Sequence, residues 1–248
     1  MQSNDIYDRD YYVGKQAGWS AAGEAMAARL LALFTIRSAV AFGCGTGNWL
    51  AALAQSGVGD VLGIDGNPVP RDLLRIAPEQ FRAADMMTLA PLDRRFDLAM
   101  SLEYAEHLPS SRAEGFVALL TAAAPVVLFS AAVPGQGGLG HVNERRQSWW
   151  AALFARHGHV PVDCIRPAIY GMPELDWYYA QNTLIYCAPD HVPAGHAPVR
   201  NPLYLDLLDD RVMRGLVEPP DSIGGALRAL RRDAGSLGAA LRRRVGRR

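Results

Sequence analysis

The sequence predicts an α/β protein with a seven-stranded, mostly parallel sheet and helices on both of its faces. Three observations carry the prediction. Apolar runs alternate with segments of helical periodicity along most of the chain. The runs are continuously apolar rather than alternating, as strands buried on both faces are. The first of them, in AVAFGCGTGNW (39–49), passes straight into a glycine-rich turn and then a helix.

The elements follow in order. A helix is expected over 21–34, ahead of the first strand. Strands are expected at 38–44 (SAVAFGC), 60–65 (DVLGID), 81–85 (FRAAD), 96–102 (FDLAMSL), 125–131 (PVVLFSA), 162–170 (VDCIRPAIY) and 183–188 (TLIYCA), each a short and largely apolar run. Helical patterns at 48–55, 70–76, 111–124 and 145–157 supply the crossovers that parallel strands need. After Pro189 the character changes: a proline-rich connector leads to a short apolar helix near 203–208. In the final stretch, 221–248, Ile223, Leu227, Leu230, Leu237 and Leu241 fall roughly on one helical stripe with arginines elsewhere.

The 248 residues allow one sizeable core with an appendage. Half are hydrophobic and a fifth charged, the mix of a soluble globular chain. The polar, acidic start does not read as a signal or transit peptide, and the longest apolar run is too short to span a bilayer. Cys44, Cys164 and Cys187 lack metal or redox spacing, so buried thiols in a reducing cytoplasm are expected. The net charge of zero hides an asymmetry, for 221–248 carries eight arginines against two aspartates. The rest of the chain is therefore net acidic and no specific nucleic-acid affinity is expected of it. The basic stretch fits either a solvated tail or a contact with a membrane surface or another copy of the chain. The expected location is the cytoplasm, free or at the inner membrane surface.

In a doubly wound sheet ligands sit beyond the carboxyl ends of the strands, so chemistry is sought there. Gly43, Gly45 and Gly47 follow the first strand, and bare backbone suits a sharp turn against a ligand. A dinucleotide fingerprint would have its third glycine where Asn48 stands. Asp65 ends the second strand, where an acid can accept from both ribose hydroxyls, and Asp85 with Met86 ends the third, placed to meet an adenine.

On VAFGCGTG, GIDG, AADM and FDLAMSLEYAEHLP, in that order and spacing over roughly 38–188, the sequence resembles class I S-adenosylmethionine-dependent methyltransferases. The resemblance implies a Rossmann-like fold and S-adenosylmethionine as cofactor. It implies that the loop of Gly43, Cys44, Gly45 and Gly47 passes the methionine part, that Asp65 with Gly66 holds the ribose, and that Asp85 and Met86 hold the adenine, with Leu102 also at the cofactor. It divides the chain into an N-terminal lid and helix segment (1–36), a cofactor-binding core (37–190) and a C-terminal extension (191–248). Tyr7, Tyr11, Tyr12 and Lys15 would belong to the lid. Ala41 departs from the family, which usually has an acid there; the departure puts cofactor affinity in question and keeps a non-catalytic cofactor-binding subunit as an alternative.

Glu103, Glu106 and His107 stand at i, i+3 and i+4, one face of any helical turn that follows the fourth strand. A four-glycine loop after the fifth strand delivers His141. This E-x-x-E-H pattern with a later histidine is similar to metal-dependent small-RNA 2′-O-methyltransferases, and its first part to ubiquinone-pathway O-methyltransferases. The similarity implies a divalent metal, Mg²⁺ first and Mn²⁺ second, on Glu103, Glu106, His107 and His141, with Glu106, His107 and His141 catalytic. A chelated vicinal diol would lose a proton more readily. Without a metal, the glutamates would cap or solvate the turn and His141 or His107 would be the general base. Asn143 and Glu144 are candidates to orient His141. One of Trp149 and Trp150 is expected in the core and the other against a sugar, and Trp177, Tyr178 and Tyr179 in the core or a pocket wall.

The stretch 131–158 resembles bacterial methyltransferases of glycans and sugar-containing metabolites. The expected activity is therefore O-methylation of a saccharide hydroxyl, on a small-molecule or oligosaccharide acceptor. An RNA 3′-terminal ribose and a quinone or catechol are the alternative acceptors.

Overall fold

Residues 39–42, Ala-Val-Ala-Phe, show how the sheet is built. Ala39 and Ala41 face one core, Val40 and Phe42 the other, and all four are buried. The computed structural model describes residues 9–66 and 69–217. Its elements are α1 (Arg9–Leu33), β1 (Ser38–Phe42), α2 (Asn48–Gln55), β2 (Asp60–Asp65), β3 (Phe81–Ala83), β4 (Leu98–Leu102), α3 (Ala113–Ala123), β5 (Val126–Ser130), α4 (Gln147–Arg156), β6 (Val160–Val162), α5 (Arg166–Ile169), α6 (Trp177–Asn182), β7 (Leu184–Cys187) and α7 (Asp210–Val217).

The seven strands form one sheet in the order β3-β2-β1-β4-β5-β7-β6. Only β7 runs against its neighbours, β5 and β6. This is the mostly parallel sheet the sequence predicts. Met26 and Leu30 of α1, Leu50 and Leu53 of α2, Ile169 of α5 and Tyr179 of α6 fill one core. Phe116 and Leu120 of α3 with Trp150 and Phe154 of α4 fill the other. Phe154 stacks on Tyr186 of β7 with ring centroids 3.9 Å apart. Burying each such side chain contributes about 1.5–3 kcal/mol. The strand order reverses between β1 and β4, whose following helices α2 and α3 pack on opposite faces. That reversal fixes where a site belongs.

Three expected elements differ. The run 162–170 is not one strand: β6 ends at Val162 and residues 166–169 form α5. Pro167 explains it, since proline fits the first turn of a helix but cannot donate within a sheet. Pro161 is tolerated because β6 is an edge strand. Over 70–76 only Arg71–Leu73 forms a short 3-10 turn, because Leu74 is extended and Arg75 N donates to the Thr46 carbonyl at 2.8 Å. The first helix is longer than expected and begins at Arg9.

The chain forms one unit ending at Leu207 and another beginning at Leu208. In the first, the proline-rich connector is tied down. Val199 N donates to the Pro161 carbonyl at 2.8 Å, and Asp206 accepts from Ser148 N and Oγ, each at 2.7 Å. Buried Arg166 donates to the Leu205 and Gln181 carbonyls and pairs with both oxygens of Asp163. In the second unit α7 is described, and the leucine stripe of 221–248 lies outside the described residues. Among the described residues no helix is long and apolar enough to cross a membrane.

Candidate active site

β1 ends at Phe42 and the chain turns at once. Gly43 N and Cys44 N both donate to the Ile64 carbonyl of β2, at 2.8 and 3.2 Å. Gly43, Gly45 and Gly47 have φ of 73°, 54° and 83°, the left-handed region that favours glycine. Packing adds a second reason: a Cβ on Gly43 would lie 2.2 Å from the Tyr104 ring, and one on Gly47 3.0 Å from Ile76. Tyr12 is buried and its ring stands 3.6 Å from where a Cβ of Gly45 would be. Tyr7 and the side chains of Tyr11 and Lys15 lie outside the described residues.

Asp65, buried at the end of β2, accepts from Gly45 N at 2.8 Å and ties the glycine loop to the neighbouring strand. Burial, reinforced by Asp65, pushes the Cys44 thiol well up, so it stays protonated. Gly66 backs onto the Ala84 carbonyl. Met86 is buried, whereas Asp85 is exposed in the turn after β3 and accepts from Met87 N at 2.8 Å. Leu102 is the last residue of β4. Ala41 packs as a methyl group among buried apolar residues.

Glu103 follows β4 with φ 49°, the one left-handed non-glycine residue among those described. Such strain persists where the surroundings hold it. Glu103 N lies 3.0 Å from Ser130 Oγ, and the carboxylate accepts from Gln136 Nε2 at 2.9 Å and Asn182 Nδ2 at 3.0 Å. Asn182 also donates to Gln136 Oε1 at 2.9 Å, and Gln181 to Asn182 Oδ1 at 2.9 Å.

Glu106, His107 and His141 come together, with one ligand atom from each lying within 4.8 Å of the others. His141 Nε2 is 3.9 Å from Glu106 Oε1, and the two imidazole centroids are 4.9 Å apart. Glu106 is wholly buried and neither of its carboxylate oxygens has a hydrogen-bond partner of good geometry. The loop after β5 closes over it, Val142 N and Asn143 N donating to the Glu106 carbonyl at 2.9 and 3.0 Å. Of the four expected ligands, the structure thus gathers three and gives the fourth, Glu103, to two carboxamides.

The loop is shaped around His141. A Cβ on Gly138 would lie 2.3 Å from His141 Nε2. His141 Nδ1 is 3.1 Å from Glu144 Oε1, and the same carboxylate accepts from Gly135 N and Gly137 N, each at 2.9 Å. Burial works against the Glu144 charge, but His141 and the two amides hold its carboxyl below the ordinary range. Burial, and then the Glu103 charge, pushes Glu106 well up. Burial also raises Glu103 against the pull of Asn182, Gln136 and Ser130. Burial and then His141 lower His107 to about 4, so at neutral pH it is an uncharged ring able to donate a lone pair. Two crowded acids beside imidazoles make a place where a cation would be stabilised.

Gln136, Asn182, Gln181 and Ser130 were not among the residues the sequence singled out. Gln136 is the one side chain with hydrogen-bonding groups within GQGG, a faint signal; Asn182 offers none, being 79 residues from the acid it serves. Trp150 is buried in the core and Trp149 is half-buried beside Arg145. Tyr179 is buried with its ring 5.0 Å from that of Trp49.

Comparison with known proteins agrees with this layout. The chain matches the methyltransferase domain family over residues 19–163, more than half its length. No curated protein matches it. Among solved structures it is similar to DesVI of Streptomyces venezuelae, with a TM-score of 0.53 and 16% identity over 76% of this chain and 99% of that one. It is similar to the sugar N-methyltransferase KedS8 of Streptoalloteichus sp ATCC 53650, with a TM-score of 0.53 and 16% identity over 73% and 93% of the two chains. It is also similar to CalS10, an amino pentose methyltransferase of Micromonospora echinaspora, with a TM-score of 0.52 and 18% identity over 73% and 97%. The chain belongs to the methyltransferase domain family and has the class I S-adenosylmethionine-dependent methyltransferase fold.

Proposed function

We propose that this methyltransferase carries a methyl group from S-adenosylmethionine to a hydroxyl of a sugar-containing acceptor, assisted by a divalent metal on Glu106, His107 and His141. The observation that carries the reading is the convergence of these three donors around a buried carboxylate whose oxygens lack good hydrogen-bond partners. At that depth only the backbone amides of Glu106 and Ala132 favour the ionised carboxyl, so a cation shared with the two imidazoles would stabilise it further. One carboxylate with two imidazoles suits Mn²⁺ at least as well as Mg²⁺, which prefers oxygen.

The glycine loop, Asp65, Asp85 and Met86 would hold S-adenosylmethionine, which supplies an already activated methyl group. When bound, the metal supplies Lewis acidity that lowers the pKa of a hydroxyl it contacts. The chain's own residues do the rest. Glu144 fixes His141 through Nδ1, leaving Nε2 towards Glu106. Glu103, clamped by Asn182 and Gln136, adds negative potential beside Glu106. A sugar acceptor is in keeping with KedS8 and CalS10. Oxygen rather than nitrogen is favoured because contact with a metal acidifies a hydroxyl, whereas it would occupy the lone pair with which an amine attacks.

The test combines binding and turnover. Titration of the full chain with Mn²⁺ should show one site, lost in His141→Ala and Glu106→Gln while S-adenosylmethionine affinity is kept. Methyl transfer to a panel of monosaccharides and oligosaccharides should stop with EDTA and return with Mn²⁺ or Mg²⁺. Absence of Mn²⁺ binding overturns the metal; turnover indifferent to EDTA makes His141, held by Glu144, the general base instead.

A further inference from the structure

Arg145 stands four residues after His141 in the loop that closes over Glu106, and its guanidinium is held by three neutral side chains. Nε donates to Asn143 Oδ1 at 3.0 Å and Nη2 donates to Ser110 Oγ at 3.0 Å. The guanidinium carbon lies 5.0 Å from the centroid of the Trp149 ring. Trp149 in turn meets Trp150 edge-on at 4.9 Å, and Trp150 is wholly buried. Both anchors belong to the candidate site's own segments. Asn143 is buried and its N–H holds the Glu106 carbonyl; Ser110 comes three residues after His107.

Among the described residues this arginine has no counter-charge. Arg9, Arg94, Arg156 and Arg166 each pair with a carboxylate. Among the described residues, none comes within 4.0 Å of Arg145, whose contacts are all neutral. Its donors are ionised and so hold Asn143 and Ser110 firmly, but neither acceptor neutralises the charge. Of its five N–H donors two are engaged, and the others project from Nη1 and Nη2. That fork is the arrangement that receives two oxygens of a carboxylate or phosphate.

We infer that Arg145, anchored by Asn143, Ser110 and Trp149, is a subsite for an oxyanion on the methyl acceptor. The inference rests on the acceptor reading above and narrows it to sugars bearing a carboxylate or a phosphate, such as uronates or sugar phosphates.

The experiment uses the full chain labelled with 5-fluorotryptophan, with the Trp149 fluorine resonance assigned through Trp149→Phe. Inorganic phosphate, glucuronate, glucose 6-phosphate and glucose are titrated separately. The three anions should shift the Trp149 resonance saturably, and neutral glucose should not. In Arg145→Gln the anions should bind about tenfold more weakly or worse, with Arg145→Lys between the two and Ser110→Ala weakened less. The tighter of glucuronate and glucose 6-phosphate identifies the source of the oxyanion. Equal titrations for the wild type and Arg145→Gln overturn the subsite, as does a glucose shift matching that of glucuronate. The inorganic phosphate arm is independent of methyl transfer, so Arg145-dependent phosphate binding without turnover on any sugar would remove the acceptor reading and leave the subsite standing.

Discussion

Replacing Glu144 with alanine should weaken the proposed metal site before it costs the enzyme its fold. The carboxylate accepts from His141 Nδ1 and from the amides of Gly135 and Gly137. Hydrogen bonds to a charged acceptor are worth about 1.5–3 kcal/mol each when fully buried. The Glu144 side chain is 22% exposed, so water would take over part of that role. A net loss of about 2 kcal/mol for the closed loop is a reasonable discount from the sum, roughly thirtyfold in an equilibrium constant. Gly135, Gly137 and Gly140 all hold positive φ and gain much freedom once the clamp is gone. Mn²⁺ affinity, read by titration or by electron paramagnetic resonance, should therefore fall about 10- to 100-fold, the range found for partners that orient ligating histidines. Glu144→Gln, keeping one carbonyl acceptor, should lie between. S-adenosylmethionine affinity and the melting temperature should hardly move, because the effect is local. If Glu144→Ala binds Mn²⁺ like the wild type, the loop does not depend on this carboxylate and the argument fails.

Other outcomes follow from the same geometry. Gly138→Ala sets a Cβ 2.3 Å from His141 Nε2 and should abolish Mn²⁺ binding in titration without lowering the melting temperature; retained binding would show that the ring has room to move. Arg166→Leu removes the partner of Asp163 and of two carbonyls, and urea unfolding should show a loss of about 3 kcal/mol or more, a loss under about 1 kcal/mol contradicting its role. Asn182→Ala takes one of two carboxamide donors from buried Glu103 and should cost about 1–3 kcal/mol by the same assay, with Asn182→Asp worse because it faces one acid with another. Unchanged urea midpoints in both would mean that Glu103 finds other support.

The sheet was legible because its strands are short apolar runs whose alternate residues enter opposite cores, as Val40 and Ala41 do. The run 162–170 misled because its apolar content resembles a strand, while the outcome is set by Pro167 and by what Arg166 can reach. At the site, the i, i+3, i+4 spacing grouped Glu103 with Glu106 and His107 on the assumption of regular helical backbone. The chain instead turns through φ 49° at Glu103, whose carboxylate is taken up by Gln136 and Asn182 while its charge still acts on Glu106. The Asn182 carboxamide was beyond reach, since nothing local marks a partner 79 residues away. The glycines were recognised, but part of their reason, the nearness of Tyr104 and Ile76, is visible only in three dimensions.

The connector that follows β7 bears on what length of chain can stand alone. Ser148 at the start of α4 and Arg166 of α5 both depend on the backbone and side chains of residues 205 and 206 for their partners. A cut just after the last strand would leave a buried guanidinium short of an acceptor and the first turn of α4 without its acid. A truncation that keeps these partners must extend at least to Asp206. What reads in the sequence as a loose proline-rich leash is the buckle that closes the sheet's far edge.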